Sequence, residues 1–435
     1  MSVTIVGILV IVFSFILMFS RVHIAAAMAI PSILGIIYLR GWDTMLATVN
    51  SIVWEHSFSY TLTTIPLFVL MGQFLYTCGF SEDLFTMFQK WMGKLRGGLA
   101  MATIGSSAMF AASSGSSLAT TGTIGVIASK EMLASNYSKV MTGGSIAAGG
   151  TLGILIPPST MMILYGVITE QSIGKLLIAG IIPGVLLTIF FMLAINISAW
   201  IKPSLVPVSE NFETTWKERF LSLKSSISII VLFSVVIGGI YAGYFTATEA
   251  AGVGAFGACI IGLIRRKLTV KTFTEAVLNT IKTTGFIFAI IIAAFILNYV
   301  LTITRLPQQL AQFLFEQNLS ALAIFALIIV LFIILGAVMD TMAMIVVTLP
   351  IILPILEMHQ FDLIWFGVIM VLLVEMALIT PPIGMNCFVL KGVVEKLDLG
   401  SIFKGALIFC VPIVVLIGLL YAFPEIALFL PNEVG

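Results

Sequence analysis

The stretch Gly149–Pro158 constrains the fold of this chain more than any other. It reads G-G-T-L-G-I-L-I-P-P and lies inside an apolar segment that runs from about 140 to 168. Proline removes a backbone donor and clashes with the preceding turn, so a regular helix cannot continue through a Pro-Pro pair. Lipid offers no partners for the freed backbone groups, which are tolerated at membrane depth only inside protein or along a polar cavity. The stretch therefore predicts a broken helix at a place where ions and small solutes are held.

A second copy of this feature occurs in the other half of the chain. Ala377–Met385 reads A-L-I-T-P-P-I-G-M, again within an apolar segment, so that Pro381 matches Pro157. Each stretch alone is also compatible with a simple Pro kink that holds no ligand. Two broken helices in matching positions, however, are the pattern of a secondary transporter built from inverted repeats.

The composition indicates a membrane protein. Of the 435 residues, 60% are hydrophobic and 9% are charged, and the mean hydropathy is +1.16. Continuous apolar runs of about 20 residues predict helices and not barrel strands. We therefore expect an all-α polytopic membrane protein, with a first inverted repeat at 1–200, a linker at 201–225 and a second repeat at 226–435. Four scattered cysteines and three isolated histidines give no spacing typical of a transition-metal site.

Each half also contains an apolar segment with a polar centre. Residues 98–130 carry A-S-S-G-S-S-L-A-T-T-G-T in the middle, and residues 320–356 carry G-A-V-M-D-T-M at 336–342. A re-entrant hairpin, which enters and leaves on one face with its tip buried in protein, fits both segments better than one spanning helix. The broken spans that follow are expected at 140–168 and 361–390.

The basic residues support this topology. If both hairpins are re-entrant, 18 of the 21 Lys and Arg residues fall on one side, and Arg40, Lys175 and Arg305 lie opposite. The side that is rich in basic residues consists of the turn at Arg21 and the loops at 80–97, 130–139, 201–225, 265–282 and 391–404. The positive-inside rule makes that side cytoplasmic and places both termini outside. The two halves then have opposite orientations.

The linker 201–225 contains an amphipathic run, Phe212–Leu223, in which charged residues alternate with aromatic and aliphatic ones. This pattern is typical of an interfacial helix on the cytoplasmic surface. A solvated connector is the alternative.

Ionisable residues within the apolar segments are few. Asp340 lies at the second hairpin tip, Glu375 lies just before the second break, and Glu170 follows the first broken span. A carboxylate at membrane depth is costly unless it meets a cation, a proton or a hydrogen-bond cluster. Asp340 is compatible with a cation or substrate site and equally with a hydrogen-bonded structural role. For Glu375 the pattern favours a structural role, and for Glu170 a helix cap near the outer surface.

The hairpin tips and the breaks together carry the chemistry of a sodium site. Sodium takes about five or six hard oxygens, which unwound carbonyls and Ser or Thr hydroxyls supply. The predicted first site consists of Ser113, Ser114, Ser116 and Ser117 facing Gly150, Thr151, Gly153 and Pro157. The predicted second site consists of Gly336, Asp340 and Thr341 facing Ala377, Thr380 and Ile383. Close helix packing is the alternative, and it explains the small residues but not the paired Pro-Pro breaks.

Helix N-termini at the same points favour an anionic solute between the two sites. Asn298, Arg305 and Asn386 are candidate contacts for its carboxylate.

Four runs of the sequence carry a family resemblance. They are G-S-S-A-M-F-A-A-S-S-G-S-S-L-A-T-T-G-T-I-G at 105–125, G-T-L-G-I-L-I-P-P-S-T-M-M-I-L-Y-G at 150–166, S-I-G-K-L-L-I-A-G-I-I-P-G at 172–184 and L-I-T-P-P-I-G-M-N at 378–386. These runs resemble the large membrane subunit, the M component, of tripartite ATP-independent periplasmic (TRAP) transporters, and the resemblance covers essentially the whole chain.

This resemblance implies an elevator-type sodium symporter of the bacterial inner membrane, with a scaffold domain and a mobile domain that contains both hairpins. The implied coupling ion is Na⁺, and no organic cofactor is expected. The implied partners are a small four-helix membrane subunit, the Q component, here expected as a separate chain, and a soluble periplasmic binding protein, the P component. Family substrates are small organic anions such as C4-dicarboxylates, sialic acid and other sugar acids. Nucleic acid is not an expected partner.

Three other functions compete with this interpretation. A self-contained sodium-coupled carboxylate symporter would have a similar architecture but need neither partner protein. An intramembrane hydrolase is disfavoured because there is no HExxH motif and Asp340 has no paired intramembrane Asp. A passive channel is disfavoured because re-entrant pairs in inverted halves suit alternating access.

Overall fold

All regular structure in the described part of the chain is helical. The computed structural model describes residues 2–207 and 214–433, with every side chain there except those of Ser113 and Ser225. These ranges form 21 α-helices and three short 3₁₀ helices. By length and composition, five helices among them can cross a bilayer, or up to seven if each bent pair counts as one span. The prediction of an all-α polytopic membrane protein is confirmed.

The helices of the first half are α1 (Val3–Phe19), α2 (Ile24–Arg40), α3 (Trp42–Ser57), α4 (Thr64–Thr77), α5 (Phe80–Met92), α6 (Gly98–Ser114), α7 (Ser117–Ala134), α8 (Lys139–Thr151), α9 (Thr160–Thr169), α10 (Ile173–Ala179) and α11 (Ile181–Ile201). Those of the second half are α12 (Trp216–Tyr241), α13 (Ala247–Ile264), α14 (Val270–Thr304), α15 (Leu306–Glu316), α16 (Ala321–Gly336), α17 (Thr341–Met358), α18 (Leu363–Ile379), α19 (Met385–Val393), α20 (Leu399–Ala422) and α21 (Glu425–Glu433).

The two halves repeat the same series of elements at a constant offset. Helix α7 begins at Ser117 and its counterpart α17 at Thr341. Helix α8 begins at Lys139 and its counterpart α18 at Leu363, which is the same separation along the chain. The two Pro-Pro pairs also have this separation. The use of these halves as domains, and their inverted orientation, stay predictions.

Both predicted hairpins and both predicted breaks are present as helical features. Helices α6 and α7 form hairpin 1, and helices α16 and α17 form hairpin 2. In the first broken span, α8 ends at Thr151, a 3₁₀ turn covers Leu152–Ile154 and α9 begins at Thr160. In the second, α18 ends at Ile379 and α19 begins at Met385. Re-entrance of the hairpins concerns the position of the bilayer and stays a prediction.

Two segments that the sequence analysis assigned to loops are helical. Residues 80–92 form α5, and α14 begins at Val270 and continues for 35 residues, so the predicted loop at 265–282 is short. A third helix, α3, was not expected at all. These helices carry charged residues such as Asp83, Glu275 and Glu55 between apolar ones, so a search for continuous apolar runs misses them, whereas a 3.6-residue periodicity accounts for them.

Only part of the predicted linker lies among the residues that the structure describes. Phe212 lies outside the described residues, and so does the start of the amphipathic run. From Trp216 onward the run belongs to α12, which starts with a capping box between Thr215 and Glu218 and continues to Tyr241. The described part of the predicted interfacial segment therefore belongs to α12, which bends by 52° between Lys224 and Ser226.

Helices α8 and α20 pack backbone to backbone through a pair of glycines. A Cβ at Gly144 would lie 2.4 Å from the carbonyl carbon of Gly405, and a Cβ at Gly405 would lie 2.0 Å from the Val140 carbonyl oxygen. Neither position has room for a methyl group, because the neighbouring atoms belong to the backbone. This contact fixes α8, and with it the first break, against α20.

We expect Gly144→Ala to lower the free energy of unfolding by about 1–3 kcal/mol, the usual cost of forcing an extra carbon into a packed core. Thermal unfolding of the purified protein, followed by tryptophan fluorescence, measures this change. Gly418→Ala is the matched control, because a Cβ at this exposed position of α20 meets nothing within 4 Å. Equal melting temperatures for the two variants would contradict the packing described here.

Candidate functional site

The tip of hairpin 1 lies directly on the first break. Gly115 turns the chain between α6 and α7 with φ of 56°, a left-handed conformation that glycine adopts without strain. The Gly115 carbonyl accepts a hydrogen bond from Thr160 Oγ1 at 2.9 Å. A Cβ at Gly153 would lie 2.8 Å from the Ser116 carbonyl oxygen. The residues predicted to face each other across the first site are thus in contact, although the side chain of Ser113 lies outside the described part.

The hydroxyl groups at this tip bind to the tip itself. Ser114 Oγ and Thr120 Oγ1 are 2.8 Å apart, and Ser114 Oγ also lies 3.2 Å from the Ser116 carbonyl oxygen. Ser116 caps α7 by accepting from the backbone N–H of Ala119. These bonds hold the turn in one shape and keep the carbonyl of Ser116 close to the break.

A residue from the second half completes the contact. Ser117 Oγ donates to the Gly150 carbonyl at 2.9 Å. The amide of Asn386, at the start of α19, donates to Ser117 Oγ at 2.8 Å and to the Ala147 carbonyl at 3.2 Å. Asn386 is fully buried. The sequence analysis named it as a substrate contact, whereas the structure places it against residues of the predicted first sodium site; a role in substrate binding stays a prediction.

Two buried hydroxyls near the break have no hydrogen-bond partner among the described residues, namely Ser107 Oγ and Thr121 Oγ1. A Cβ at Gly150 would lie 1.8 Å from Thr121 Oγ1, and a Cβ at Gly149 would lie 2.7 Å from Ser107 Oγ. The two glycines therefore leave the space into which these hydroxyls extend. Thr151 Oγ1, by contrast, donates to the Ala148 carbonyl at 2.7 Å.

These groups suit a small hard cation, because they present neutral hydroxyl and carbonyl oxygens and no amine or guanidinium. Pro157 is buried beside them. Thr121 was not singled out from the sequence, although it belongs to the same Ser- and Thr-rich run as the predicted ligands. Its position one helical turn after Ser117 was the available signal.

In the second half, hairpin 2 meets the second break through small residues. A Cβ at Gly336 would lie 2.3 Å from the Ala377 Cβ. Asp340 caps α17 by accepting from the Met342 N–H at 3.0 Å, and Thr380 Oγ1 donates to the Met376 carbonyl at 2.9 Å. These polar side chains bind their own helices and not each other. Thr341 is buried and Ile383 is partly exposed.

The two breaks differ in their surroundings. Pro157 and Pro158 are buried, whereas their equivalents Pro381 and Pro382 are exposed. The two pseudo-equivalent sites are therefore in different environments within one structure.

The other two carboxyl groups singled out from the sequence are Glu375 and Glu170. Glu375 is fully buried in α18, and neither of its carboxyl oxygens has a hydrogen-bond partner in the described chain. Glu170 ends α9 as its C-cap, in a left-handed conformation with φ of 56°. Glu170 thus occupies the predicted cap position, while its place near the outer surface and the structural role of Glu375 stay predictions.

A cavity of about 930 Å³ leads to the tip of hairpin 1. Its walls come from α4, α5, α7 and α14, and Ser114, Ser116 and Thr160 lie at its border with the first break. Asn298 and Arg305 belong to the other end of α14 and do not line it. Asn386 does not line this cavity either, and the role of all three residues in substrate binding stays a prediction.

A family of membrane transport proteins matches nearly the whole chain. The family "Tripartite ATP-independent periplasmic transporter, DctM component" matches residues 10–426. The chain is 36% identical over 386 residues to a C4-dicarboxylate TRAP transporter large permease protein, DctM, of Pseudomonas aeruginosa, which covers 88% of this chain and 89% of that protein. It is 32% identical over 418 residues to the sialic acid TRAP transporter permease protein SiaT of Haemophilus influenzae, which covers 96% of this chain and 67% of that protein.

Among solved structures, the fold is similar to that of the Alcanivorax borkumensis YdaH transporter. The TM-score is 0.60 at 13% sequence identity, over 90% of this chain and 91% of that one. This likeness concerns the fold alone. The curated relatives are transporter permeases, which confirms the prediction that the chain is not an enzyme. Because the family match spans nearly the whole sequence, the chain belongs to the DctM component family of tripartite ATP-independent periplasmic transporters.

Proposed function

We propose that this chain is the large permease subunit of a sodium-coupled symporter that imports a small organic anion. The observation that carries the proposal is the contact between hairpin 1 and the first break, where uncharged oxygens converge around Gly150 in a member of a transporter family. Sodium prefers such oxygens. Because these ligands bring no fixed charge, the ion enters as a net positive charge that the membrane potential can drive.

In this mechanism the first break holds the coupling ion. The carbonyl of Gly150 and the hydroxyls of Ser117 and Thr121 supply oxygens, and Asn386 fixes the orientation of Ser117. The second ion is proposed to bind at the pseudo-symmetric contact between hairpin 2 and the second break. Its proposed ligands remain those of the sequence analysis: Gly336, Asp340, Thr341, Ala377, Thr380 and Ile383.

The anion is proposed to bind near the tip of hairpin 1 at the end of the cavity. Helices α7 and α9 begin there with Ser117 and Thr160, and helix N-termini present N–H groups and partial positive charge. The hydroxyl of Ser116, which accepts from the Ala119 N–H, adds one donor there. The names of the relatives point to dicarboxylates or sialic acid as the class of solute.

Movement of both hairpins against a scaffold would expose the site alternately to the two sides, as in an elevator. For a monoanion such as sialic acid, two sodium ions and the solute carry one net positive charge, which gains about 2.3 kcal/mol per 100 mV. That gain corresponds to an accumulation of about 50-fold per 100 mV. The ion gradient and the potential therefore suffice as the energy source.

The proposed complex contains two further proteins. A small membrane subunit, here a separate chain, completes the membrane part, and a periplasmic binding protein delivers the solute. The chain is proposed to lie in a bacterial inner membrane with both termini in the periplasm, because this orientation places most basic residues in the cytoplasm.

Uptake into proteoliposomes tests the function. We expect accumulation of a labelled C4-dicarboxylate or sialic acid only when the small subunit, the cognate binding protein and an inward sodium gradient are all present. Vesicles with the sodium gradient replaced by potassium are the control. Uptake by this chain alone would instead establish a self-contained symporter, and uptake that ignores sodium would overturn the coupling.

A further inference from the structure

An apolar cavity of about 440 Å³ lies between α6 of hairpin 1 and helices α5, α11 and α12. Small residues of α6, namely Gly105, Ala108 and Ala112, form one wall and leave the space open. The opposite walls carry larger apolar side chains such as Ile189 and Phe233. The solute site described above does not use this cavity, and its lining suits hydrocarbon and not a polar ligand.

The cavity is open toward lipid along α11. Ile189, which lines it, is 45% exposed. Further along the helix, Leu193 is 50% exposed, Ile197 57% and Trp200 77%. An exposed apolar face of α11 thus runs from the cavity to the C-terminal end of this helix, where the predicted cytoplasmic surface lies.

Basic residues lie near the end of this apolar face. The Lys90 carbonyl accepts from Thr214 Oγ1 at 3.2 Å, and Arg219 Nε donates to the same Thr214 Oγ1 at 3.4 Å, so the end of α5 and the start of α12 are in contact. The turn between α5 and α6 packs on α11, because a Cβ at Gly97 would lie 2.7 Å from the Ile195 Cγ2. We call the cations of these three segments the basic cluster: Lys90, Lys94, Arg96, Lys202, Lys217 and Arg219.

The basic cluster carries excess positive charge. In the described residues of 90–97, 202–207 and 214–219, Glu218 is the acidic residue present, and its carboxylate accepts from the Thr215 N–H at 2.9 Å. None of the six cations forms an ion pair with an acidic side chain in the part of the chain that the structure describes. Glu218 lies within electrostatic range of Lys90, so an anionic headgroup would find its partners among the other five cations.

The distance between the cluster and the cavity matches a lipid chain. Lys202 lies ten positions after Met192, and Arg219 eleven positions before Ile230, and both Met192 and Ile230 line the cavity. At a rise of about 1.5 Å per residue, the separation along α11 is about 15 Å, whereas the separation along α12 is shorter because α12 bends by 52° between Lys224 and Ser226. One leaflet of the hydrocarbon core is also about 15 Å thick. A phospholipid with its headgroup at the cluster consequently reaches the cavity with one acyl chain.

We propose that an anionic phospholipid of the cytoplasmic leaflet binds at this place, with its headgroup on the basic cluster and one acyl chain in the cavity beside hairpin 1. Basic pockets between transmembrane helices on the cytoplasmic side are the known form of such sites. The acyl chain would fill the space between α6, which leads to the tip of hairpin 1, and helices α5 and α12. The proposal does not depend on the coupling ion or on the solute.

The test measures lipid binding to the purified complex of this chain with its small membrane subunit, after removal of native lipid, by native mass spectrometry. The probes are phosphatidylglycerol and phosphatidylcholine with identical acyl chains. We expect wild type to bind one phosphatidylglycerol in preference to phosphatidylcholine. Lys94→Gln combined with Lys202→Gln should weaken phosphatidylglycerol binding by about 10- to 30-fold, as expected for the loss of two cations near an anionic headgroup.

The matched control for charge is Lys130→Gln combined with Lys396→Gln, which removes two exposed lysines of the same predicted membrane side away from the cluster. This control should bind phosphatidylglycerol like wild type. Ala108→Phe keeps the basic cluster but fills the cavity, and it should lose binding of both lipids. If Ala108→Phe does not fold, Ala112→Leu replaces it, because Ala112 lines the same wall.

Four outcomes would overturn the proposal. Equal binding of the two lipids would show that the headgroup charge is not recognised. Equal losses in the cluster variant and its control would indicate general surface attraction. Unchanged binding in the cavity variant would place the acyl chain elsewhere. Failure of the complex to bind either lipid would mean that the small subunit covers this surface.

Discussion

Gly153→Ala is expected to suppress sodium-driven uptake while the protein still folds. The added Cβ would lie 2.8 Å from the carbonyl oxygen of Ser116 and 2.9 Å from its carbonyl carbon. Both are backbone atoms, so no side-chain rotation relieves the clash, and the hairpin tip must move away from the break. Ser117 then moves away from the Gly150 carbonyl. Displacements of about 1 Å in a preorganised site cost about 10²-fold, and we expect the apparent sodium affinity to fall by that factor.

The measurement is the sodium dependence of initial uptake rates in proteoliposomes, with size-exclusion chromatography as the test of folding. Gly392→Ala is the matched control, because Gly392 is exposed in the other broken span and a Cβ there meets nothing within 4 Å. A sodium affinity close to wild type in Gly153→Ala would show that the tip of hairpin 1 and the break do not form the ion site together.

Asn386→Ala should have the second-largest effect. The change removes the bonds of 2.8 Å to Ser117 Oγ and 3.2 Å to the Ala147 carbonyl. Because Asn386 is fully buried, water cannot replace the amide, and each unsatisfied partner costs about 1–3 kcal/mol. We expect sodium affinity to fall by about 10- to 100-fold, with a smaller change in the apparent affinity for the solute.

A double-mutant cycle with Ser117→Ala separates this role from a direct role in solute binding. If Asn386 acts by orienting Ser117, the two changes should be strongly non-additive for sodium. Asn196→Ala, at an exposed asparagine of α11, is the control for loss of an amide. If Asn386→Ala loses affinity for the solute but keeps its response to sodium, Asn386 contacts the solute directly and does not act through Ser117.

The breaks and hairpins could be predicted from the sequence because their signals are local. A Pro-Pro pair ends a helix wherever it occurs, and a Ser- and Gly-rich centre within an apolar segment predicts a turn. Amphipathic helices that contain charged residues were harder to predict from the sequence. Helix α3 has Asp43 in its first turn and Glu55 near its end, and an apolar-run search passes over it.

The partners of the site residues depend on packing between distant segments. Thr121 could have been chosen from its spacing to Ser117, but nothing near Asn386 in the sequence indicates Ser117 as its partner. The role of Asp340, by contrast, can be predicted from the local sequence, because a residue directly before the first residue of α17, Thr341, is placed to cap this helix. Local rules therefore predict the elements and several ligands, while the contact between the halves requires the folded chain.

The bond between Asn386 and Ser117 also bears on how the protein is made. These residues are 269 positions apart. At synthesis rates of about 5–20 residues per second, hairpin 1 leaves the ribosome on the order of 10–50 s before its buried partner exists. During that interval the serine and the α8 carbonyls must find other partners, in the translocon, in a chaperone or in lipid headgroups. Ribosome stalling before residue 386 should consequently leave a nascent chain whose first hairpin is still sensitive to protease.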